Sequence, residues 1–202
     1  KQNKEQMSEF SAFLTLGFEH ISDINGYDHI LFIIVLCAIY SPADWKQVLV
    51  LITAFTLGHS VTLALATLEI IPVNPALIEF LIPVTILLTA IFNYGHKTRK
   101  AGSRLWLRYA TALFFGLIHG MGFSNFLKSL LGRDESIVVQ LLAFNLGLEL
   151  GQIAIVLVIM VLAFAFVQVL NTKKREWNLV LSSAAGGIAF TMILERFPQA
   201  FQ

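Results

Sequence analysis

The sequence contains little charge. Only 13% of its 202 residues are Asp, Glu, Lys or Arg, about half the share found in a typical soluble domain. This deficit excludes a disordered chain and argues against an ordinary soluble globule. The net charge is +1 and there is no long basic stripe, which excludes a nucleic-acid-binding protein.

Cysteine is almost missing as well. Cys37 is the only one in the sequence, so an internal disulfide framework and a cysteine-rich metal cluster are both excluded. The first residues also lack the basic, apolar and cleavage-site pattern of a signal peptide, and none is expected within this sequence.

Apolar residues make up 56% of the chain and 17 residues are Phe. Long apolar stretches separated by short polar turns predict an all-α, polytopic transmembrane helix bundle in a single domain, residues 1–202. We expect about seven helices, with six as the fallback. The predicted segments are 8–21, 28–40, 45–71, 76–94, 104–127, 136–170 and 179–197.

The lengths of these segments differ in an informative way. A bilayer core of roughly 30 Å needs about 20 helical residues, which segments three to seven provide and the first two do not. Basic residues gather in the loop after segment four (97–108) and the loop after segment six (173–175). The positive-inside rule places both loops in the cytoplasm, and seven spans would then put the N-terminus inside.

Ionisable residues inside apolar spans are costly and usually face a bundle interior. Counting along the predicted segments places four of the five histidines in the outer half of one small bundle, while His96 is expected to be a residue of the basic loop. Asn145, Glu149 and Gln152 share one helix face through their i, i+4, i+7 spacing. The predicted metal ligands are His20, Asp28, His29, His59, His119 and Glu149, supported by hydrogen bonds from Ser60, Asn145 and Gln152.

Imidazoles with a carboxylate suit Ni, Zn, Cu or Co better than Ca or Mg. Asp28 and His29 are adjacent, and adjacent helical residues do not share a face. Both can bind one ion only if the helix start is irregular. Otherwise one residue binds the ion and the other orients that ligand. A lone intramembrane histidine, like Asn145 or Gln152, is often only an interhelical hydrogen-bonding residue, and Ser60 and Thr56 can bond back to their own helix.

Four blocks of the sequence, in this order, resemble the HupE/UreJ family of hydrogenase and urease accessory membrane proteins: GYDHILF at 26–32, AFTLGHSVTL at 54–63, GLIHGMGF at 116–123 and FNLGLELGQ at 144–152. The resemblance implies transition-metal handling, chiefly of nickel, by a multi-pass permease of the bacterial inner membrane. It also implies partners among the proteins that mature metalloenzymes, and it makes Asp28 and His29 the foremost metal-binding element.

Besides a scaffold with a buried polar network and no metal, two function classes remain open. The first is a transporter or metal-binding protein for a divalent transition ion, with Ni favoured over Zn, Co or Cu, and with no enzymatic activity. The alternative is an intramembrane zinc-dependent hydrolase acting on a lipid-like substrate, because three histidines around Zn²⁺ and a carboxylate base can activate water. No H-E-x-x-H or H-x-x-x-H pair lies within one predicted helix, which argues against the hydrolase.

Overall fold

The computed structural model describes residues 2–95, 105–130 and 137–202, with side chains from residue 8 onward, and these residues form helices and no strand. The basic residues 97–104, His96 and the predicted start of segment six at Ser136 lie outside these ranges. The helices are α1 (Gln2–Ser22), α2 (Asp28–Cys37), α3 (Trp45–Thr67), α4 (Pro75–Tyr94), α5 (Leu105–Gly122), α6 (Ser124–Leu130), α7 (Ile137–Ala163) and α8 (Lys174–Ala200). A 3₁₀ turn (Pro42–Asp44) precedes α3, and α7 continues as a π-helix over Phe164–Val169.

The helix boundaries follow from local chemistry. Asn74 caps α4 by accepting a hydrogen bond from the backbone N–H of Leu77, and Pro75 supplies the first helical residue, where no N–H is needed. Ahead of α3, the hydroxyl of Ser41 donates to the carboxylate of Asp44 at 2.6 Å. At the other end of α3, Glu69 takes a left-handed conformation and the N–H of Ile70 bonds back to the carbonyl of Leu65. This helix stop is the reason that α3 ends before the predicted residue 71.

The helices that are long and apolar enough to cross a membrane agree with predicted segments three to seven. By length and composition, four qualify as single spans (Pro42–Thr67, Pro75–Tyr94, Ile137–Val169 and Lys174–Ala200), and α5 with α6 counts as a fifth if the pair, bent by 48°, forms one span. The all-α membrane bundle is therefore confirmed, with eight helices in the described residues rather than seven because predicted segment five breaks at Phe123. Neither α1 nor α2 is among the candidate spans. For α2, with 10 residues, this agrees with its predicted shortness. For α1 the prediction was wrong, because the helix extends over 21 residues rather than the 14 of segment 8–21.

Pro83 in α4 leaves a backbone carbonyl of that helix free to bond with the far end of α8. Because proline has no N–H, the carbonyl of Glu79 loses its helical donor. The guanidinium of Arg196, near the end of α8, donates to this carbonyl instead at 2.8 Å. The replacement bond ties the last turns of α8 to the first turns of α4, so these two helices run antiparallel.

A second set of contacts joins α4 and α8 at the opposite end. The side-chain amide of Asn93 donates to the carbonyl of Val35 at 2.7 Å and to the hydroxyl of Ser182 at 3.1 Å. Ser182 in turn donates to the side-chain carbonyl of Asn178, whose amide donates to the backbone carbonyl of Asn93. We call Asn93, Asn178 and Ser182 the asparagine network. It lies at the end of the bundle where α8 begins with Lys174, which we call the basic end.

Glycines bring α3 and α5 into backbone contact. A Cβ added at Gly58 would lie 2.1 Å from the carbonyl oxygen of Leu113, and one at Gly116 would lie 2.2 Å from that of Phe55. Only glycine fits such contacts between membrane helices. The contacts advance along both helices in the same direction. A Cβ at Gly116 would contact Phe55, and one at Gly120, a turn later, would contact His59 and Thr62. The two helices are therefore parallel, as the alternation of the predicted spans requires of segments three and five.

The pair formed by α1 and α7 is built in the same way. A Cβ at Gly17 would lie 2.0 Å from the carbonyl oxygen of Phe144, and one at Gly147 would lie 1.9 Å from that of Leu14. Gln140 also bonds to Glu9 near the beginning of both helices. These contacts make α1 and α7 parallel, whereas strict alternation of seven spans makes the first and sixth segments antiparallel. An N-terminus on the inner side therefore no longer follows from that count.

Candidate metal site

Three histidines from three different helices converge at the end of the bundle opposite the basic end. His20 is in the last turn of α1, His29 in the first turn of α2, and His59 in α3. Each offers a ring nitrogen, and these nitrogens all lie within 4.8 Å of one another. The centroid of the His20 ring is 4.7 Å from that of His29 and 6.0 Å from that of His59. We call these residues the three-histidine group.

Four ring nitrogens of this group lack hydrogen-bond partners among the described residues. They are Nε2 of His20, Nε2 of His29 and both ring nitrogens of His59, and each is shielded from solvent. Native structures pair nearly all of their buried polar atoms, so several unpaired nitrogens at one place require an explanation. An ion held about 2 Å from each nitrogen needs them within about 4 Å of one another. Small movements of the rings would therefore allow all three to bind one ion.

Asp28 orients His29 from outside the group. Its Oδ1 lies 3.1 Å from Nδ1 of His29 and accepts the backbone N–H of the same residue at 2.9 Å. Its Oδ2 lies 3.8 Å from the guanidinium of Arg196. The carboxylate thus accepts a hydrogen bond from Nδ1–H of His29, and the lone pair of the ring is at Nε2. Of the two arrangements that adjacency left open, the structure has His29 in the group and Asp28 behind it.

His119 is placed next to the group by α5. Its ring centroid is 5.2 Å from that of His29, and the side chain is buried. Nε2 of His119 is 2.9 Å from the hydroxyl of Thr85 on α4, while Nδ1 is buried without a described partner. His119 therefore adjoins the three-histidine group without belonging to it.

The polar residues of α7 contact α3 rather than the histidines. The hydroxyl of Thr53 donates to Oε1 of Glu149, and that of Thr56 donates to Oε1 of Gln152, both at 2.7 Å. Asn145 donates to the carbonyl of Leu141 on its own helix at 2.8 Å. Glu149 and Gln152 share a face as their spacing predicts, but neither is brought into the three-histidine group.

The remaining predicted supporting residue is Ser60. Its hydroxyl donates to the backbone carbonyl of Thr56 at 2.7 Å, so its described bond stays within α3. Aromatic rings enclose the histidines on the other sides. The ring of Phe123 is 4.0 Å from that of His20, and the rings of Phe32 and Phe55 are each 5.1 Å from that of His119. Such apolar walls keep water from the nitrogens and leave a bound ion as their natural partner.

The family model described as HupE / UreJ protein matches residues 1–197. The chain belongs to the HupE/UreJ family. The family match covers all the helices that carry the histidines, and it agrees with a multi-pass membrane protein that has a role in metal handling. No curated protein and no solved structure matches the chain, so the assignment of individual residues in this HupE/UreJ chain rests on its own geometry.

Two contributors to the site were not recognised in the sequence. Arg196 lies on the side predicted to be outside, where basic residues are uncommon, and this position was a usable signal for a structural partner. Thr85 had no such signal, because a threonine within an apolar span commonly bonds back to its own helix. Only the packing of α4 against α5 shows that its hydroxyl also meets His119.

Proposed function

We propose that this protein binds a divalent transition-metal ion, nickel foremost, and passes it across the bacterial inner membrane for the maturation of a metalloenzyme. The observation that supports this proposal is the three-histidine group, with buried ring nitrogens that lack other partners. Imidazole nitrogens prefer Ni, Co, Zn and Cu to Ca and Mg. The ion is cargo here, and the histidines are its temporary ligands.

The charge distribution supports a direction for this passage. Lys173 and Lys174 lie at the basic end, which the positive-inside rule assigns to the cytoplasm. The three-histidine group lies toward the opposite end and so faces the side from which an external ion arrives. Because imidazole must be neutral to bind a metal, binding releases protons wherever the free histidines are protonated.

Transport by the purified protein in liposomes tests this proposal. We expect wild-type protein to load Ni²⁺ into vesicles that contain a metal-sensitive dye, and the double variant His29→Asn/His59→Asn to abolish this uptake. Removing a residue that only orients a metal ligand lowers metal affinity roughly 10- to 100-fold. Because this variant removes two ligands, we expect a larger loss of Ni²⁺ affinity. His96→Asn, which alters the histidine of the predicted basic loop, is the matched control and should transport normally. Ordinary uptake by the double variant would overturn the assignment of the site.

The hydrolase alternative gains no support from the carboxylates near the histidines. A zinc-activated water needs a carboxylate base that is available to it. Asp28 is hydrogen-bonded to His29 and lies close to Arg196, and Glu149 accepts a hydrogen bond from the hydroxyl of Thr53. Both carboxylates are therefore engaged with other groups. We therefore propose no second function, and release of product from a lipid ester by the Zn²⁺-loaded protein would contradict this choice.

A further inference from the structure

Thr85 holds the ring of His119 from a neighbouring helix. It lies in α4, two residues after Pro83, and only 2% of it is exposed. Its hydroxyl donates to the carbonyl oxygen of Ile82 at 2.7 Å. The same hydroxyl oxygen lies 2.9 Å from Nε2 of His119. These two contacts together bear on which nitrogen of His119 carries the proton.

A hydroxyl has a single proton to donate, and a carbonyl can only accept. With the proton of Thr85 directed at the carbonyl of Ile82, its oxygen accepts from His119, and this arrangement places the His119 proton on Nε2. A neutral imidazole protonated at Nε2 has its free lone pair at Nδ1. Nδ1 of His119 is buried without a described partner, so this lone pair is available to an ion.

We propose that Thr85 is a positioning residue that keeps the proton of His119 on Nε2 and presents Nδ1 as a fourth nitrogen donor beside the three-histidine group. The proposal rests on the proposed function, because the donor is meant for the same divalent transition ion. Two neighbouring imidazoles are then held through opposite nitrogens. Asp28 holds His29 at Nδ1, and Thr85 holds His119 at Nε2. Such partners fix the tautomer and orientation of metal-binding histidines.

Nuclear magnetic resonance of metal-free protein tests the tautomer directly. In micelles with ¹⁵N-labelled histidine, the signals of His119 are those that disappear in His119→Asn. We expect the wild type and Thr85→Ser to show the Nε2–H form. Thr85→Val keeps the shape of threonine but lacks the hydroxyl, so it should show a mixture of both tautomers. An Nδ1–H form in the wild type, or an unchanged spectrum in Thr85→Val, would overturn the proposal.

Titration with Co²⁺ tests the donor role. We expect Thr85→Val to weaken Co²⁺ binding about 10- to 100-fold and to change the visible d–d absorption, because one nitrogen ligand is lost. Thr85→Ser should restore both properties. Thr89→Val is the matched control. Thr89 lies one turn further along α4 and its hydroxyl donates to the carbonyl of Thr85, so this variant should keep the wild-type affinity and spectrum.

The outcomes separate the two proposals. If Thr85→Val binds Co²⁺ with the affinity and spectrum of the wild type, Thr85 only packs and the positioning role is wrong. If the wild type binds no Co²⁺ while His119 shows the Nε2–H form, the proposed function fails and the donor role fails with it, although the hydrogen-bond assignment is correct. If Thr85→Val and Thr89→Val lose affinity equally, the loss reflects damage to α4 and overturns the specific role of Thr85.

Discussion

The asparagine network and the three-histidine group are both polar and built from several helices, yet they differ in how their shielded atoms are partnered. In the network, the amides of Asn93 and Asn178 and the hydroxyl of Ser182 all make hydrogen bonds. In the group, Nε2 of His20, Nε2 of His29 and both ring nitrogens of His59 make none among the described residues. Fully paired polar atoms join helices, whereas unpaired ones mark the place where a ligand is expected.

The variant with the largest expected effect on this difference separates α1 from α7. Gly147→Ala places a Cβ 1.9 Å from the carbonyl oxygen of Leu14, so α1 must move and carry His20 out of the group. We expect the free energy of unfolding to fall by about 1–3 kcal/mol and Co²⁺ binding to weaken. Thermal unfolding in detergent and a Co²⁺ titration measure the two effects.

Gly187→Ala is the control for that variant. A Cβ at Gly187 meets nothing within 4 Å, and alanine is favoured over glycine within a helix by about 1 kcal/mol. The control should keep wild-type Co²⁺ affinity and equal or exceed wild-type stability. Wild-type behaviour of Gly147→Ala would show that the contact between α1 and α7 does not hold the site together.

A smaller effect is expected from Asp28→Ala, which removes the acceptor at Nδ1 of His29 and frees that ring to turn. The affinity for Ni²⁺ should fall about 10- to 100-fold, as measured by calorimetry of the purified protein. Asp23→Ala is the matched control, because the described bond of the Asp23 carboxylate is to the backbone N–H of Asn25 in an exposed turn. Equal losses in the two variants would contradict the orienting role of Asp28.

The smallest effect is expected at the asparagine network. Asn178→Ala removes the bonds to the backbone carbonyl of Asn93 and to the hydroxyl of Ser182. Interhelical hydrogen bonds in membrane proteins contribute about 1 kcal/mol or less, so the unfolding transition should move slightly and Co²⁺ affinity should not change. A marked loss of Co²⁺ affinity would show that the network serves the metal site as well as the packing.

The sequence predicted the class of fold well because apolar length is a one-dimensional property. Segments three to seven follow from composition, and the shortness of α2 was visible in the same way. The length of α1 was not, because its first turns are polar and carry no apolar signal. The direction of α1 was not predictable by counting, since it depends on Gly17 and Gly147 meeting backbone on the partner helix. Sequence position alone does not show which helices touch.

The candidate site was predictable in its residue types and only partly in its arrangement. His20, His29 and His59 were expected together and are brought together. Glu149 was expected there because depth along α7 was the only measure available. Its bond to Thr53 depends on how α7 is rotated and which part of α3 it crosses. The same limit concealed Thr85, whose contact with His119 crosses from α4 to α5.

The pairing of the first helix with α7 has a consequence for biogenesis. The bond between Gln140 and Glu9 spans 131 positions, so α1 leaves the ribosome long before its partner exists. His29 and His59 can approach each other once α2 and α3 have been inserted, whereas His20 must wait for α7. The three-histidine group is therefore completed late in synthesis, and a nascent chain that stops before α7 lacks one of its imidazoles.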